Sequence, residues 1–354
     1  MSLLPIVKRQ IEGFGPLSIA DYMTLCLLHP DHGYYTTATP FGRTGDFVTA
    51  PEISQMFGEM IGLALAQSWL DQGAPSRFCL AELGPGRGSL MADILRVGKS
   101  VPGFLAAAEV WLVEASPALQ KVQGDTLRGA NARHVDQITA LPDLPLFLIA
   151  NEFFDTLPIR QYQRTKKGWR ERVIGLKDNE LHFGLGPEIA DLGMATPDRS
   201  VGELLQTAPA ATAIMAEIDR RIASQGGAAL IIDYGDQGIR DNTFQAVQAH
   251  QKVSTLTDPG RADLTAHVDF QALAEACVEV THSALTPQGV FLERLGITSR
   301  ATELARGLTD QALENHIAAH RRLTHPEEMG ALFKVLALWA KDAPPIAGVT
   351  TNDA

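Results

Sequence analysis

The sequence predicts an α/β fold of the doubly wound, Rossmann-like type, in which helices cover both faces of a mostly parallel sheet. From residue 78 onward, short apolar runs such as FCLAEL and VWLVE alternate with amphipathic stretches such as SLMADILRVG. This alternation is typical of βαβ units, and uniformly apolar strands indicate a sheet that is buried on both faces. The first strand also runs directly into a glycine-rich turn, ELGPGRG at residues 82–88, which opens the next helix.

Two helix-start signals precede this sheet. Ser18 and Asp21 form a capping box before YMTLCLL, a run that ends at a His-Pro pair. Thr49 and Glu52, with Pro51 between them, form a second box. It predicts one continuous helix whose apolar face is formed by Ile53, Met56, Phe57, Met60, Ile61 and Leu65. The long loop between the two helices is of a kind that is functional or disordered in compact domains.

The regular alternation breaks after the fourth strand, LFLIA. Residues 159–186 alternate polar and apolar side chains about KKG and DNE turns, as antiparallel strands do. The buried-strand pattern resumes with AALIID at 228–233. We therefore expect a sheet domain interrupted by an insertion that contains a β-hairpin and a helical segment.

This organisation implies specific boundaries. The expected parts are an N-terminal helical cap with a lid loop at 1–60, a discontinuous core at 61–158 and 226–342, an insertion at 159–225, and a flexible tail at 343–354. The tail is expected to fray because it is polar and rich in proline.

Composition excludes several functional classes. The 41 acidic residues outnumber the 30 basic ones, the formal net charge is -11, and no long run of like charges occurs. Nucleic acid is therefore not expected as a partner, because neutralising phosphates requires clustered Lys and Arg. An acidic surface favours a cationic substrate, although it also serves solubility alone.

The cysteines bear on metal binding, and the hydropathy of the chain bears on its cellular location. The three cysteines lie far apart in apolar contexts, without CxxC or His partners at metal-ligand spacing, so no metal site is predicted. No apolar run reaches the ~18 residues of a membrane span, and no signal or transit peptide is recognised. These observations predict a cytoplasmic protein.

The glycine-rich turn is the strongest functional signal. Gly84, Gly86 and Gly88 follow Glu82, and glycines let the backbone lie against a ligand at a helix N-terminus. A dinucleotide fingerprint requires a further glycine where Ser89 stands. A phosphate-binding Walker loop requires a lysine that is missing here. The remaining pattern, acid-x-Gly-x-Gly-x-Gly, is that of enzymes that bind S-adenosyl-L-methionine.

Two further acids support an adenosine ligand. Glu114 ends the next strand, where a carboxylate can accept both ribose hydroxyls, as it also does in dehydrogenases. Asp136 follows the third strand and is placed either to accept from an adenine amino group or to cap a turn.

The segment ANEFFDTLP at the end of the fourth strand predicts the acceptor side of the site. Asn151 is expected beside the cofactor, and Glu152 and Asp155 supply two carboxylates. Such a pair can hold the planar fork of a guanidinium and orient one nitrogen for in-line transfer. Alternatively, Asp155 caps the turn before Pro158 and Glu152 alone reaches the site.

Three other residues remain open candidates. Asp233 and Tyr234 end the fifth strand at the same edge, where Asp233 either contributes to the acceptor site or caps the next segment. His267 in LTAHVDF is either a base or a structural residue.

Together these motifs resemble the MidA-like methyltransferases of bacteria and mitochondria. The resemblance rests on HPDHGYY, GDFVTAPEIS, QMFGEMIG, ELGPGRGSLMADIL, ANEFFDTLPIRQ, IIDYG, GRADLTAHVDF and TPQGVFLERLGI, in that order, from about residue 15 to 340. It implies a class I methyltransferase fold with an insertion and an S-adenosyl-L-methionine site. Its mitochondrial members dimethylate an arginine of the 49-kDa-type subunit of respiratory complex I during assembly. Because no transit peptide is recognised, a bacterial member of the family, located in the cytoplasm, is expected.

The resemblance also implies residue roles. Glu82, Glu114 and the three glycines match the cofactor site, and Glu152 and Asp155 lie in the acceptor motif. The segment GDFVTAPEIS would close over the cofactor, which makes Thr49, Pro51 and Glu52 expected contacts. The expected function is arginine N-methylation of a complex I subunit. The alternatives are a small-molecule methyltransferase and an assembly chaperone with a vestigial site, and a homodimer through the inserted hairpin is left open.

Overall fold

The computed structural model describes residues 2–37, 49–194, 196 and 198–352 of the chain. These residues fall into two compact units. The core unit comprises Val48–Phe154, Ala213–Gly235 and Phe270–Ala354. The antiparallel unit comprises Met1–Phe47, Asp155–Thr212 and Asp236–Asp269.

The helices and strands are as follows. The α-helices are α1 (Leu4–Phe14), α2 (Ile19–Leu28), α3 (Tyr34–Thr37), α4 (Ala50–Ile53), α5 (Gln55–Asp71), α6 (Ser89–Gly98), α7 (Phe104–Ala107), α8 (Pro117–Thr126), α9 (Pro209–Gln225), α10 (Phe270–Glu275), α11 (Gln288–Arg294), α12 (Ile297–Ala305) and α13 (Asp310–Thr324). The strands are β1 (Leu17–Ser18), β2 (Phe78–Leu83), β3 (Ala108–Val113), β4 (Arg133–Val135), β5 (Leu146–Asn151), β6 (Arg160–Arg164), β7 (Trp169–Lys177), β8 (Glu180–Ile189), β9 (Leu204–Thr207), β10 (Gly227–Asp236), β11 (Gln245–Gln248), β12 (Gln251–Val253), β13 (Asp263–Thr265), β14 (Val268–Asp269), β15 (Thr281–His282), β16 (Thr286–Pro287) and β17 (Phe333–Trp339).

The core unit is built on a mixed sheet with the strand order β15, β17, β10, β5, β2, β3, β4. The strands β10, β5, β2, β3 and β4 run parallel, and β17 runs antiparallel to β10. The chain first extends the sheet from β2 to β4 and then returns to the other side of β2 with β5. This reversal is the topological switch point where open α/β sheets bind ligands. The predicted doubly wound fold is confirmed.

Close packing against α5 fixes α6, the helix that follows the glycine-rich turn. A Cβ atom at Gly58 of α5 would lie 2.5 Å from Cβ of Asp93 in α6, and one at Gly62 would lie 2.6 Å from Cγ1 of Val97. Glycine at both positions lets the helix backbones approach closely. The carboxylate of Glu59, which is 2% exposed, then binds guanidinium groups from α6 and α12.

The antiparallel unit contains the strands predicted for residues 159–186. β6, β7 and β8 form a meander about the KKG and DNE turns, and β9 pairs with β6. Asp178 and Asn179 adopt positive φ angles of 52° and 63°, as a tight two-residue hairpin turn requires. A smaller sheet has the order β12, β11, β13. The antiparallel strands of the insertion are thus confirmed.

The helix predicted from Thr49 onward is interrupted. Ser54 is extended, with φ -160° and ψ 138°, so α4 ends at Ile53 and α5 begins at Gln55 with Ser54 as its cap. The Ser54 hydroxyl accepts from the N–H of Met56, whereas Thr49 makes no side-chain capping bond. A continuous helix was therefore the wrong prediction: the second signal starts only one turn. By contrast, Ser18 caps α2 through the N–H of Asp21, as predicted.

The units also depart from the predicted boundaries. Residues 236–269, which were predicted to be core, belong to the antiparallel unit, and α5 begins within the predicted cap but belongs to the core unit. Residues 343–352 do not form a loose tail. Thr350 exchanges backbone and side-chain hydrogen bonds with Ala284 and Thr286, and Ile346 is 3% exposed. Most of the predicted lid loop lies outside the described residues. No helix among the described residues is long and apolar enough to cross a membrane.

Candidate active site

The glycine-rich turn connects β2 to α6 in a conformation that favours glycine. Gly84, Gly86 and Gly88 have φ angles of 59°, 52° and 83°, which side-chain-bearing residues rarely adopt. A Cβ at Gly84 would also lie 2.7 Å from Cδ2 of Phe153. Gly88 forms the left-handed N-cap of α6, so the first N–H groups of that helix face the turn. Such a turn can place backbone donors against a ligand.

Glu82, at the end of β2, is a buried acid. Its side chain is 3% exposed, and no described residue makes a hydrogen bond to Oε2. Burial raises the pKa of the Glu82 carboxyl to about 8, and the nearby Glu114 adds to this rise, whereas a hydrogen bond from the backbone of Met91 opposes it. A buried carboxylate oxygen without a partner is costly, and a cationic ligand group would relieve that cost.

Glu114 continues the same edge one strand further on. Its Oε1 accepts from the N–H of Ser116 at 2.8 Å, and Oε2 accepts from Nε2 of Gln123 at 3.0 Å. Burial raises the pKa of Glu114, and these hydrogen bonds oppose the rise. The carboxylate is therefore held in a fixed orientation, in which its remaining lone pairs can accept from a diol.

Gln123 is a site residue that the sequence motifs do not reveal. It is fully buried on α8, and its Nε2 also donates to the carbonyl oxygen of Gly86 at 2.8 Å. Its Oε1 lies 2.9 Å from Nε2 of His134. One amide thus ties the glycine-rich turn to Glu114. The sequence gives one signal of this role. Gln123 lies on the same helix face as Leu119, which is buried, and a buried amide requires polar partners.

Asp136 and Asn151 lie at the carboxyl ends of β4 and β5, as predicted. Asp136 is exposed immediately after β4. Asn151 is 8% exposed, and no described residue makes a hydrogen bond to its Oδ1. The parallel register aligns the ends of β2, β3, β4 and β5, so Glu82, Glu114, Asp136 and Asn151 lie along one sheet edge.

Glu152 begins the acceptor-side loop in a left-handed conformation, with φ 51°. Its N–H donates to the carbonyl oxygen of Ile232 at 2.9 Å. Its Oε1 accepts from the N–H of Ala50 at 2.9 Å and from Nδ2 of Asn151 at 3.1 Å. The carboxylate is thereby joined to the first residue of α4.

The segment with Thr49, Pro51 and Glu52 lies beside the glycine-rich turn. The hydroxyl of Ser89, the first residue of α6, donates to Oε1 of Glu52 at 2.5 Å. Thr49 and Pro51 form the N-terminal end of the same short helix. The structure therefore brings this segment together with the turn and with Glu152, while the preceding residues 45–48 of the predicted closing segment lie outside the described residues.

Asp233 is fully buried within β10 and binds one backbone group of the acceptor-side loop and one of its own strand. Its Oδ2 accepts from the N–H of Phe154 at 3.0 Å, and its Oδ1 accepts from the N–H of Tyr234 at 2.9 Å. β10 continues beyond Asp233 to Asp236, so Asp233 lies within the strand rather than at its end. The Tyr234 ring packs edge-on against Phe333, with the ring centroids 5.6 Å apart.

Asp155 and His267 belong to the antiparallel unit. Asp155 is 5% exposed, and its carbonyl oxygen accepts from the N–H of Ala266 at 2.9 Å. Burial raises the pKa of the Tyr35 hydroxyl strongly, and the nearby Asp263 and Asp155 carboxylates add to that rise. The main chain of His267 is fixed on both sides, since its N–H donates to Thr243 and its oxygen accepts from Gln206.

The residues of the core unit fit an S-adenosyl-L-methionine molecule. The unpartnered oxygen of Glu82 suits an ammonium group, and the fixed carboxylate of Glu114 suits a ribose diol. The positive φ angles of the turn leave room for a ligand close to the backbone. These residues would hold the cofactor.

Comparison with known proteins agrees with this fit. The model of a family of S-adenosyl-L-methionine-dependent methyltransferases matches residues 60–288. A Xenopus laevis protein named protein arginine methyltransferase NDUFAF7, mitochondrial, is 36% identical and is matched over 99% of this chain and 89% of its own length. The human protein of the same name is 34% identical, with 95% of this chain and 83% of that protein covered.

A solved structure extends the similarity to the fold. The protein in a crystal structure from Burkholderia thailandensis, bound to S-adenosyl-homocysteine, is 28% identical to this chain. It superposes with a TM-score of 0.84 over 99% of this chain and 96% of that one.

The relatives also correct one prediction. The Xenopus, human and Drosophila proteins are all named as mitochondrial. The prediction of a bacterial cytoplasmic location was therefore wrong. The prediction rested on the fact that no targeting segment was recognised in the sequence. That observation is weak evidence for any compartment.

Proposed function

Because this chain belongs to the S-adenosyl-L-methionine-dependent methyltransferase family whose model it matches, we propose that it is a protein arginine N-methyltransferase. The proposed target is an arginine of a 49-kDa-type subunit of NADH:quinone oxidoreductase, modified during assembly. Relatives at 34–36% identity that carry the name protein arginine methyltransferase support the acceptor type. The acceptor motif supports it chemically, because ANEFFD carries two acids within four residues.

One observation carries the proposal: Glu152 stands at the carboxyl end of β5, next to the switch point of the sheet. A carboxylate there can bind a guanidinium, which stays charged at neutral pH. We propose separately that the carboxylate of Asp155 also binds the guanidinium of the substrate. For Asp233 we propose a positioning role, since both its oxygens bind main-chain N–H groups.

The bound cofactor supplies a methyl group that is attached to a sulfonium sulfur, and the acceptor displaces that sulfur in line. In the proposed reaction a guanidinium nitrogen forms a bond to the methyl carbon, the carbon–sulfur bond breaks, and one proton leaves the nitrogen for solvent. Glu152 would orient the nitrogen and stabilise the positive charge on the guanidinium while this happens. For cofactor binding we propose Glu82, Glu114, Asp136, Asn151, Thr49, Pro51, Glu52 and the three glycines of the turn.

Methyl transfer to a purified 49-kDa-type subunit tests the proposal. We expect label from S-adenosyl-L-methionine to appear on one arginine by mass spectrometry, and to disappear when that arginine is replaced by lysine. The Glu152→Gln and Asp155→Asn variants, assayed separately, should lose turnover about 10- to 1000-fold if each carboxylate binds the acceptor. Label that appears only on a small molecule would overturn the protein substrate.

We also propose that the chain forms a homodimer through β8. Among the described residues, β8 pairs only with β7, which leaves its other edge open for strand pairing. Light scattering after size exclusion measures the mass directly. Replacing Leu185 of β8, which is 38% exposed, by lysine should convert a dimer into a monomer; a monomeric parent protein would refute the proposal.

A further inference from the structure

We propose that α4 couples the glycine-rich turn to the acceptor-side loop, and that Glu152 is the positioning residue that holds it. Two side-chain hydrogen bonds attach this one-turn helix to the rest of the core unit. The first residue, Ala50, donates its N–H to Oε1 of Glu152, and the third, Glu52, accepts from the hydroxyl of Ser89. Glu152 is 102 residues away from Ala50, and Ser89 is 37 residues away from Glu52. The same short helix therefore touches both halves of the site.

These two bonds matter because α4 cannot hold its own position. It has four residues, too few for a helix that is stable by itself, and the extended Ser54 separates it from α5. Packing of Ala50 and Ile53 against the core attaches the segment, but packing alone does not satisfy its N-terminal amide. Because Ala50 is fully buried, its N–H would lose its partner if Glu152 lacked an acceptor.

Glu152 is oriented for this contact. Its backbone has a positive φ and is bonded to Ile232, and Nδ2 of Asn151 donates to the same Oε1 atom that accepts from Ala50. Holding α4 requires an acceptor oxygen at this position but no negative charge. The inferred acceptor role of Glu152 does require the charge. The two roles are therefore separable by substitution.

The first test compares Glu152→Ala with Glu152→Gln by calorimetric titration with S-adenosylhomocysteine. Glutamine keeps a carbonyl oxygen where Oε1 stands, whereas alanine removes it. We expect the dissociation constant to rise about tenfold in the alanine variant, and to stay within about twofold of the parent in the glutamine variant. The titration contains no methyl acceptor, so its outcome is independent of whether arginine is the substrate.

The second test measures the coupling itself. Ser89→Ala removes the bond at the other end of α4, and we expect it to weaken binding of S-adenosylhomocysteine about threefold to tenfold. In the variant that combines Ser89→Ala with Glu152→Ala, the losses should not multiply, because either change alone already releases the helix. Losses that multiply would show two independent contacts and would overturn the coupling.

Matched controls separate this effect from general damage. Ser100→Ala makes the same change at an exposed serine that follows α6, and Glu303→Ala removes an exposed glutamate of α12. Both control variants should bind S-adenosylhomocysteine as tightly as the parent does. Thermal unfolding should confirm that every variant is folded. Equal weakening in Glu152→Gln and Glu152→Ala, or no weakening in either, would overturn the proposal. If Glu152→Ala does not fold, the single variants Ser89→Ala and Glu152→Gln test the proposal. It then requires weaker binding of S-adenosylhomocysteine in Ser89→Ala and unchanged binding in Glu152→Gln.

Discussion

The backbone N–H of Phe154 donates a 3.0 Å hydrogen bond to Oδ2 of Asp233, a carboxylate that solvent does not reach. The same carboxylate accepts from Tyr234 through its other oxygen. The bond from Phe154 fixes the loop that follows Glu152 to β10. We therefore expect Asp233 to orient the acceptor-side loop.

Replacing Asp233 tests this role. Asp233→Ala removes the carboxylate that accepts from Phe154 and Tyr234 and should lower the free energy of unfolding by about 2–4 kcal/mol, whereas Asp233→Asn keeps one acceptor oxygen and should lose about 1–2 kcal/mol. Urea unfolding measures both. Turnover in Asp233→Asn should fall only in part, through loop displacement. Complete loss of turnover in a variant of near-normal stability would instead assign Asp233 to the chemistry.

Gly84 provides a test of the turn. Gly84→Ala should weaken cofactor binding and lower stability by about 1–3 kcal/mol, because the residue has φ 59° and the new Cβ would lie 2.7 Å from the Phe153 ring. Gly129→Ala is the matched control: its φ is 90°, but no atom lies within 4 Å of the added Cβ. It should show only the conformational cost, about 1 kcal/mol, and normal binding of S-adenosylhomocysteine. Similar binding losses at both positions would argue against a specific role for Gly84.

The buried carboxylate of Glu59 predicts a large effect on stability. Burial by itself would raise its pKa, but hydrogen bonds from Arg300 and Arg96 outweigh burial and lower it. Glu59→Ala leaves Arg300 without this carboxylate and leaves Arg96 with Asp93 alone. Because both guanidinium groups are partly exposed, the loss should be about 1–3 kcal/mol. Asp125→Ala removes an exposed partner of Arg128 and should cost less than about 1 kcal/mol. Denaturant unfolding compares the two, and equal small losses would contradict the prediction.

The parts of the site that could be predicted from sequence are those that local patterns determine. Glu82, Glu114 and Asn151 end apolar strands, and parallel strands align their carboxyl ends, so strand patterns alone place these residues at one edge. The glycines are predictable because their positive φ angles need them.

The parts that could not be predicted depend on contacts between distant segments. The bond from Ser89 to Glu52 and the bonds of Gln123 join separate elements, and no periodicity encodes them. The break at Ser54 was missed because its neighbours continue the helical apolar pattern. The return of residues 236–269 to the antiparallel unit is likewise a property of tertiary packing, as is the attachment of Thr350 to Ala284.

The raised pKa of Glu82 predicts how stability depends on pH. Burial raises this pKa from an ordinary value of 4.5 to about 8. Between these values the folded protein keeps a proton that the unfolded chain has released. The free energy of unfolding of the ligand-free protein should therefore fall as pH rises from about 5 to 8, by at most about 1.4 kcal/mol per pH unit from this group.

Urea unfolding of the parent and of Glu82→Gln at pH 5.5, 6.5 and 7.5 measures the contribution. The variant should lose less stability than the parent over this range, although the raised pKa of Glu114 adds a slope of the same sign to both. A ligand ammonium near Glu82 favours the ionised carboxylate, so binding of S-adenosyl-L-methionine to the parent at pH 7 should release a proton. Calorimetry in phosphate and in Tris, buffers of different ionisation enthalpy, detects that proton, and equal release by Glu82→Gln would assign it to another group.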